Sequence, residues 1–223
     1  LGVGAVQAVG YLRVLRGVEL GAAEYSGLHI LGYGFDPAGL APLCLRLKQG
    51  RDQRKHHILA FLREKGLPLT LEEVEEIAGG DIIARPHFAQ ALVRRGWAAS
   101  NQEAFSRYLA TPEFRQKVKR FKADARTCVE TVKRAGGKAA LAHPYQTGLE
   151  DEPLEALVRA LTDCGLDAIE CHYPKYTPEQ EAFYLRLAEK YHLHVTGGSD
   201  FHGERVKPDV SLAAVPLELD WLL

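Results

Sequence analysis

Apolar and polar residues change rhythm twice along this 223-residue chain. Near the start, Arg13-Val-Leu-Arg-Gly-Val-Glu-Leu20 and Leu28-His-Ile-Leu-Gly-Tyr33 predict two short strands, with Gly21 to Gly27 as a hairpin-like link. Helical spacing then takes over. Residues 38–65 predict a long polar helix, Leu71 to Ile77 a shorter acidic one, and Asn101 to Leu109 another. Between the last two, Pro86 suits a helix N-terminus and opens a segment that ends near Gly96. Phe114, Val118, Phe121, Ala125, Cys128, Val129 and Val132 recur at helical spacing, which predicts one helix stopped by Gly136-Gly137. After Gly137 the pattern alternates: a strand over Lys138 to Ala142 running into His143-Pro144, a helix from Pro153 to Cys164, a strand over Leu166 to Glu170, a helix from Pro178 to Tyr191, and a strand over Leu193 to Thr196. Such β-α-β-α-β alternation predicts parallel strands covered by helices. The expected organisation is an α/β barrel or sheet built from residues 1–36 and 136–223, interrupted by an all-helical insertion over residues 37–135.

Composition narrows the class without fixing it. A hydrophobic content of 46% and a charged content of 26% are ordinary for a soluble globular protein. No apolar stretch is long enough to span a bilayer, and no signal-peptide pattern opens the sequence. Cys44, Cys128, Cys164 and Cys171 lack metal or redox spacing, so reduced thiols in a cytoplasmic protein are expected. The chain starts at Leu1 and contains no methionine, which predicts a processed chain or a fragment. A net charge of -1 gives no sign of a general nucleic-acid binder, and no DNA-specific binding is expected. The charge is unevenly spread, however. Arg85 to Arg126 holds ten Lys/Arg against three Asp/Glu, a local +7 that is either a solvated helix face or a guide for a phosphate-rich substrate.

The chemistry-bearing residues gather at strand ends. Thr196-Gly-Gly-Ser-Asp-Phe-His-Gly203 sets a carboxylate and an imidazole just past a buried strand, where α/β proteins keep their active sites. Asp200 and His202, two residues apart, can converge on one metal ion. Glu19 at the end of the first strand, His29 in the second and His143 after the third complete a set of three imidazoles and two carboxylates. Mixed N/O donors suit Mn, Fe or Zn better than Mg or Ca. Taken singly, each has a plainer explanation, such as a hydrogen-bonded core histidine or a salt-bridged glutamate. Repetition at one end of several strands is what favours a metal. His56 and His57 in the long helix, and His192 and His194 around Leu193, are not ligand candidates.

Five motifs occur in order: Gly17-Val-Glu19, His29-Ile-Leu-Gly-Tyr33, Arg85-Pro-His87, Leu141-Ala-His-Pro144 and Gly197-Gly-Ser-Asp-Phe-His202. Together they resemble the polymerase-and-histidinol-phosphatase (PHP) superfamily. Within it they resemble the bacterial phosphoesterases acting on nucleoside 3',5'-bisphosphates and short RNA 5' ends. The resemblance implies a distorted (β/α)7 TIM-like barrel, here N-terminally truncated, with two or three divalent metals at the strand C-termini. Mn is the best match, with Zn or Fe as alternatives. It carries Glu19, His29, His143, Asp200 and His202 over as metal ligands, and Arg85 and His87 as substrate and catalytic contacts from the insertion. Arginine suits that task, since its planar fork matches phosphate oxygens. His172, just past the strand ending at Glu170, is a further catalytic candidate, whereas Glu170 is expected to be structural. The implied activity is metal-dependent hydrolysis of phosphate esters, with a nucleotide or short RNA as partner. A histidinol-phosphate-type phosphatase and a non-catalytic RNA-binding remnant are the alternatives. The family also opens with a His-x-His strand, a nearby Asp and a second strand ending in Asp-His. None of these occurs in this sequence, so an incomplete metal set is expected.

Overall fold

The computed structural model describes residues 15–80, 83–203, 210, 211, 217 and 220–222. It divides into two units, one formed by residues 1–43 and 122–223, the other by residues 44–121.

The first unit is built on five strands in the order β1 (Gly17–Gly21), β2 (His29–Tyr33), β3 (Lys138–Ala142), β4 (Ala168–His172) and β5 (His194–Gly197). The hairpin β1–β2 is antiparallel, with Gly21 opposite His29. Strand β2 is also antiparallel to β3, with His29 opposite Ala142, while β3–β4 and β4–β5 are parallel. Strands β1, β3, β4 and β5 therefore share one direction and β2 opposes them. Their C-terminal ends and the first residue of β2 meet at one edge of the sheet. Among the described residues the sheet is open, bounded by β1 and β5, so the fold is a mixed α/β sheet rather than a closed barrel.

Helices α6 (Ala125–Arg134), α7 (Asp151–Thr162) and α8 (Pro178–Lys190) form the covering layer. Helix α6 packs on β2 and β3, α8 on β4 and β5, and α7 touches both helices. Strand β3 is buried from Ala139 to Ala142, as expected for a strand covered on both faces. Cys128, Val129 and Val132 of α6 and Val158 of α7 are fully buried. Close approach depends on Gly32, because a Cβ there would stand 2.8 Å from Val132 Cγ2. At the edge remote from the candidate chemistry, Asp167 accepts from Lys133 Nζ at 2.7 Å and from the Ala139 amide at 2.8 Å, tying α6 to β3.

Three sequence expectations change. Strand β1 is Gly17–Gly21, which makes Glu19 the middle residue of its strand rather than its last; residues 13 and 14 lie outside the described residues. Strand β4 starts two residues later than Leu166, because the Asp167 amide bonds to Ala139 O and ladder pairing begins at Ala168. The helix expected across Phe114 to Val132 is two helices, α5 (Pro112–Lys117) and α6. Val118 leaves helical geometry (φ −99°, ψ 69°), and Asp124 caps α6 by accepting from the Thr127 amide at 2.6 Å.

Helix α1 (Pro37–Glu64) enters the second unit at Cys44, joining α2 (Leu71–Ala78), α3 (Arg85–Arg94), α4 (Asn101–Ala104) and α5. Thr70 and Glu73 cap α2 reciprocally, and Gly79 ends it in a left-handed conformation. The core here is Ile58, Phe61, Leu62, Val74, Phe88, Leu92, Leu109 and Phe114. A π-helical turn over Phe105–Leu109 follows α4 directly. No helix among the described residues is long and apolar enough to cross a membrane.

Gly27 offers a direct test of the hairpin's seating. Its φ is +86°, and a Cβ would meet Gln146 O at 2.3 Å, whereas Gly34 (φ +63°) has open space around it. Gly27→Ala should cost about 2–4 kcal/mol, from backbone strain plus overpacking, and Gly34→Ala only about 1 kcal/mol. Urea unfolding of both variants reads the difference; equal losses would show that the hairpin loop is not seated against Gln146.

Candidate metal centre

Antiparallel pairing of β2 is what assembles the site. It sets His29, the first residue of that strand, opposite the end of β1 and beside Ala142, the residue before His143. Glu19 Oε1 lies 2.7 Å from His29 Nδ1 and 3.3 Å from His143 Nε2, and the two imidazole nitrogens are 3.3 Å apart. Donors bound to one ion at about 2.0–2.2 Å stand about 3 Å from one another, so this triangle fits a single cation. Glu19, Asp200 and His202 form a second set whose donor atoms lie within 4.8 Å of one another. Glu19 belongs to both sets.

The backbone around the ligands is unusual. His143 has φ 26° and Asp200 φ 52°, two of the three non-glycine residues with positive φ among those described. Such conformations cost on the order of 1–3 kcal/mol and gather where a side chain must be aimed. Around His143 the surroundings are acidic. Glu170, buried in the middle of β4, accepts the His143 amide at 2.6 Å, and a Cβ on Gly198 would lie 2.5 Å from Glu170 Oε1. Gly198 thus lets the end of β5 close on that carboxylate. Gln146 Nε2 reaches Asp200 Oδ2 at 3.4 Å, and His202 Nδ1 stands 2.7 Å from Asp200 O.

These contacts shift the titrations. Hydrogen bonds from His143 and His29 hold the Glu19 carboxyl well below its usual range, outweighing partial burial. Burial alone would push His143 down, but Glu19, Glu170 and Asp200 together move it above an ordinary imidazole. Glu170 is pushed up, first by burial and then by its acidic neighbours. Acidic donors packed around imidazoles in this way favour a bound positive charge. His143 Nδ1 is buried and has no hydrogen-bond partner among the described residues, so its ring is oriented by the contacts of Nε2 and by edge packing on His29 and Tyr173.

The other candidates fall elsewhere. A bulge between Glu170 and His172 breaks strand alternation. Glu170 therefore meets His143, while His172 Nδ1 lies 2.9 Å from Glu181 of α8 and joins neither donor set. Arg85 and His87 begin α3 in the helical unit. Arg85 Nη1 donates to Leu109 O at 3.5 Å, and His87 Nδ1 accepts the Ala84 amide at 3.1 Å. His56 and His57 are exposed, and His194 stacks on Trp221 with ring centroids 4.6 Å apart. Glu170, expected to be structural, takes a structural part by accepting the His143 amide, but sequence reasoning named neither that partner nor the contact of Gln146 with Asp200. Glu170 was visible as a carboxylate ending an expected strand, but its partner is an amide 27 residues away; Gln146 carried no signal.

Two outcomes follow for metal uptake. Glu19→Gln should lower Mn²⁺ binding at both positions, whereas His202→Ala should remove only one, as read by equilibrium dialysis with elemental analysis. Because the folded metal-free protein holds a proton on His143 above the ordinary value of 6.5, its protonated form is favoured below that value and lost as pH rises through the raised one. Cation affinity should therefore climb as pH rises toward that raised value, up to about tenfold per unit, and level off above it. A flat profile by titration calorimetry would show that His143 is not displaced from its proton by the metal.

No family model matches the chain. A 5'-3' exoribonuclease from Haemophilus influenzae is 31% identical over 201 residues, covering 89% of this chain and 72% of the relative. The 5'-3' exoribonuclease of Escherichia coli is 29% identical, and the chain spans 66% of its length while 86% of the chain is matched. A 3',5'-nucleoside bisphosphate phosphatase from Chromobacterium violaceum is 28% identical over 84% of this chain and 67% of its own. Among solved structures, an amidohydrolase from Chromobacterium violaceum, with bound sulfate and no metal, superposes with a TM-score of 0.66 at 28% identity, covering 91% of this chain and 72% of the other. The ordered motifs, the donor-rich sheet edge and the identity to these exoribonucleases and phosphatases agree: the chain belongs to the PHP-type phosphoesterase family.

Proposed function

We propose that this protein is a metal-dependent phosphoesterase that hydrolyses phosphate esters of nucleotides, including nucleoside 3',5'-bisphosphates and the 5' ends of short RNA. The observation that carries the reading is the Glu19 carboxylate shared by two donor sets at one sheet edge. The names of the relatives, exoribonuclease and bisphosphate phosphatase, supply the substrate class. The open sheet is read as an arc of the family's distorted (β/α)7 barrel. Residues 37–135 are read as its helical insertion. Four free cysteines, Cys44, Cys128, Cys164 and Cys171, accord with a cytoplasmic setting.

In this reading Glu19, His29 and His143 hold one divalent ion, and Glu19, Asp200 and His202 another, with Mn²⁺ the best match to mixed N/O donors. When bound, the ions supply Lewis-acid stabilisation of phosphoryl charge and a more acidic water. The protein's own groups do the rest. Glu170 fixes the His143 backbone by accepting a hydrogen bond from its amide, so that the imidazole stays aimed at Glu19. Arg85 and His87 are assigned to the substrate phosphate, where a guanidinium can meet two oxygens at once. His87 spends Nδ1 on the Ala84 amide, which leaves Nε2 for a ligand. His172, with Nδ1 against Glu181, is assigned to proton transfer, the carboxylate fixing its tautomer.

Hydrolysis of adenosine 3',5'-bisphosphate with added Mn²⁺, beside histidinol phosphate, tests the assignment. Release of phosphate from the bisphosphate, abolished by EDTA and lowered about a hundredfold or more by His143→Asn, is expected. His172→Asn should lower kcat with metal content unchanged. Preference for histidinol phosphate would move the protein to another branch, and RNA binding without turnover in any metal would remove it from the enzymes.

A further inference from the structure

Beside the metal centre stands a cluster of tyrosines that neither donor set uses. Tyr145 lies two residues after His143, and its neighbour Gln146 reaches Asp200 Oδ2 at 3.4 Å. Both belong to the single turn Pro144–Thr147 that follows β3. The turn is firmly held. Gln146 donates its amide to His143 O at 2.9 Å, Thr147 Oγ1 donates to Pro144 O at 2.8 Å, and Pro144 is buried. Tyr145 thus sits between one candidate ligand and a residue that touches another.

Packing fixes the ring as well. The Tyr145 centroid lies 5.3 Å from that of Tyr173 and 5.5 Å from that of Tyr176. Tyr173 and Tyr176 stand 5.2 Å apart, and Tyr176 meets Tyr184 of α8 edge-on at 4.8 Å. Tyr176 donates its hydroxyl to Glu170 O at 3.0 Å, and a hydrogen bond ties the Tyr173 phenol to Tyr145. Tyr173 in turn packs edge-on against His143, centroids 6.3 Å apart. Tyr173 and Tyr184 are buried, and Tyr176 is flanked by three rings, whereas Tyr145 keeps part of its surface open to solvent. The Tyr145 ring therefore stands within about 12 Å of the His143 ring, the two spans through Tyr173 being 6.3 and 5.3 Å.

An aromatic ring immobilised in this way loses its rotamer freedom on folding, so a planar ligand that stacks on it has less ordering to impose. A phosphate held at the donor sets leaves the base of its nucleotide one ribose away, a span that fits the separation of Tyr145 from His143. We propose that Tyr145 is a stacking residue for the nucleobase of the substrate, its ring held in place at the metal centre by Tyr173 and Tyr176. The choice of ligand rests on the phosphoesterase reading. Every base has a π-face, so this contact favours nucleotides over plain phosphate esters without selecting one base.

The test compares adenosine 3',5'-bisphosphate with its abasic counterpart, 1-deoxyribose 3,5-bisphosphate, as substrates of the Mn²⁺-loaded protein. The unaltered protein should favour the nucleoside ester about tenfold in kcat/KM. Tyr145→Leu should erase that preference through KM, with kcat and the abasic ester changed by about twofold at most. Tyr145→Phe keeps the ring, gives up the hydroxyl bond to Tyr173, and should retain the preference. A second readout needs no turnover: the fluorescence of 2-aminopurine riboside 3',5'-bisphosphate falls when its base stacks. Quenching by the EDTA-stripped protein should survive Tyr145→Phe and disappear with Tyr145→Leu. Equal losses on both esters in the leucine variant would show that Tyr145 only supports its turn, and equal losses in the phenylalanine and leucine variants would assign the effect to the hydroxyl; either overturns the proposal. Should the leucine variant fail to fold, the unaltered protein decides: equal kcat/KM for the two esters together with no quenching also overturns it. Release of phosphate from the abasic ester reports the metal chemistry by itself, so equal hydrolysis of both esters would remove the stacking role and leave the phosphoesterase reading standing. Hydrolysis of neither ester, with quenching intact and sensitive to Tyr145→Leu, would do the reverse.

Discussion

Glu19 is held by two imidazoles at once, 2.7 Å from His29 Nδ1 and 3.3 Å from His143 Nε2, and donor atoms of Asp200 and His202 lie within 4.8 Å of the same carboxylate. The meeting of Glu19 with both imidazoles depends on sheet pairing. If β2 ran parallel to β1, His29 would lie at the far edge of the sheet, about four residues or some 13 Å away. The antiparallel hairpin puts it opposite Gly21, and the β2–β3 register puts it beside Ala142. One topological choice, fixed by a short link seated at Gly27 against Gln146, thereby decides whether the donors meet.

The surrounding structure serves to keep that edge dense in carboxylate and imidazole without collapse into simple ion pairs. Glu170 spends one oxygen on a backbone amide rather than on a ligand. Gly198 removes the side chain that would hold the end of β5 away. His143 and Asp200 accept strained backbone geometry, and the covering helices hold β3 and β4 in place beneath them. The stabilising contacts, such as Lys133 with Asp167, lie at the opposite end of the strands, so the acidic edge is left for chemistry.

Much of this was legible from residue patterns. The alternation after Gly137 foretold three parallel strands and their helices, and the motifs around Glu19, His29, His143 and Asp200-x-His202 named the donors that converge. What escaped was set by tertiary contacts. The split between α5 and α6 depends on the Asp124 cap, which competes with an apolar stripe that reads equally well as one helix. The bulge that separates Glu170 from His172 has no sequence signature, and it decides which of the two faces His143.

The most direct measurement is anomalous diffraction from a crystal of this chain grown with Mn²⁺. A Glu19 carboxylate that bridges requires two peaks about 3.5–4 Å apart, one against His29 and His143 and the other against Asp200 and His202, with Glu19 between them. A single peak away from Glu19, or none at saturating Mn²⁺ with the fold intact, would contradict a shared two-ion centre.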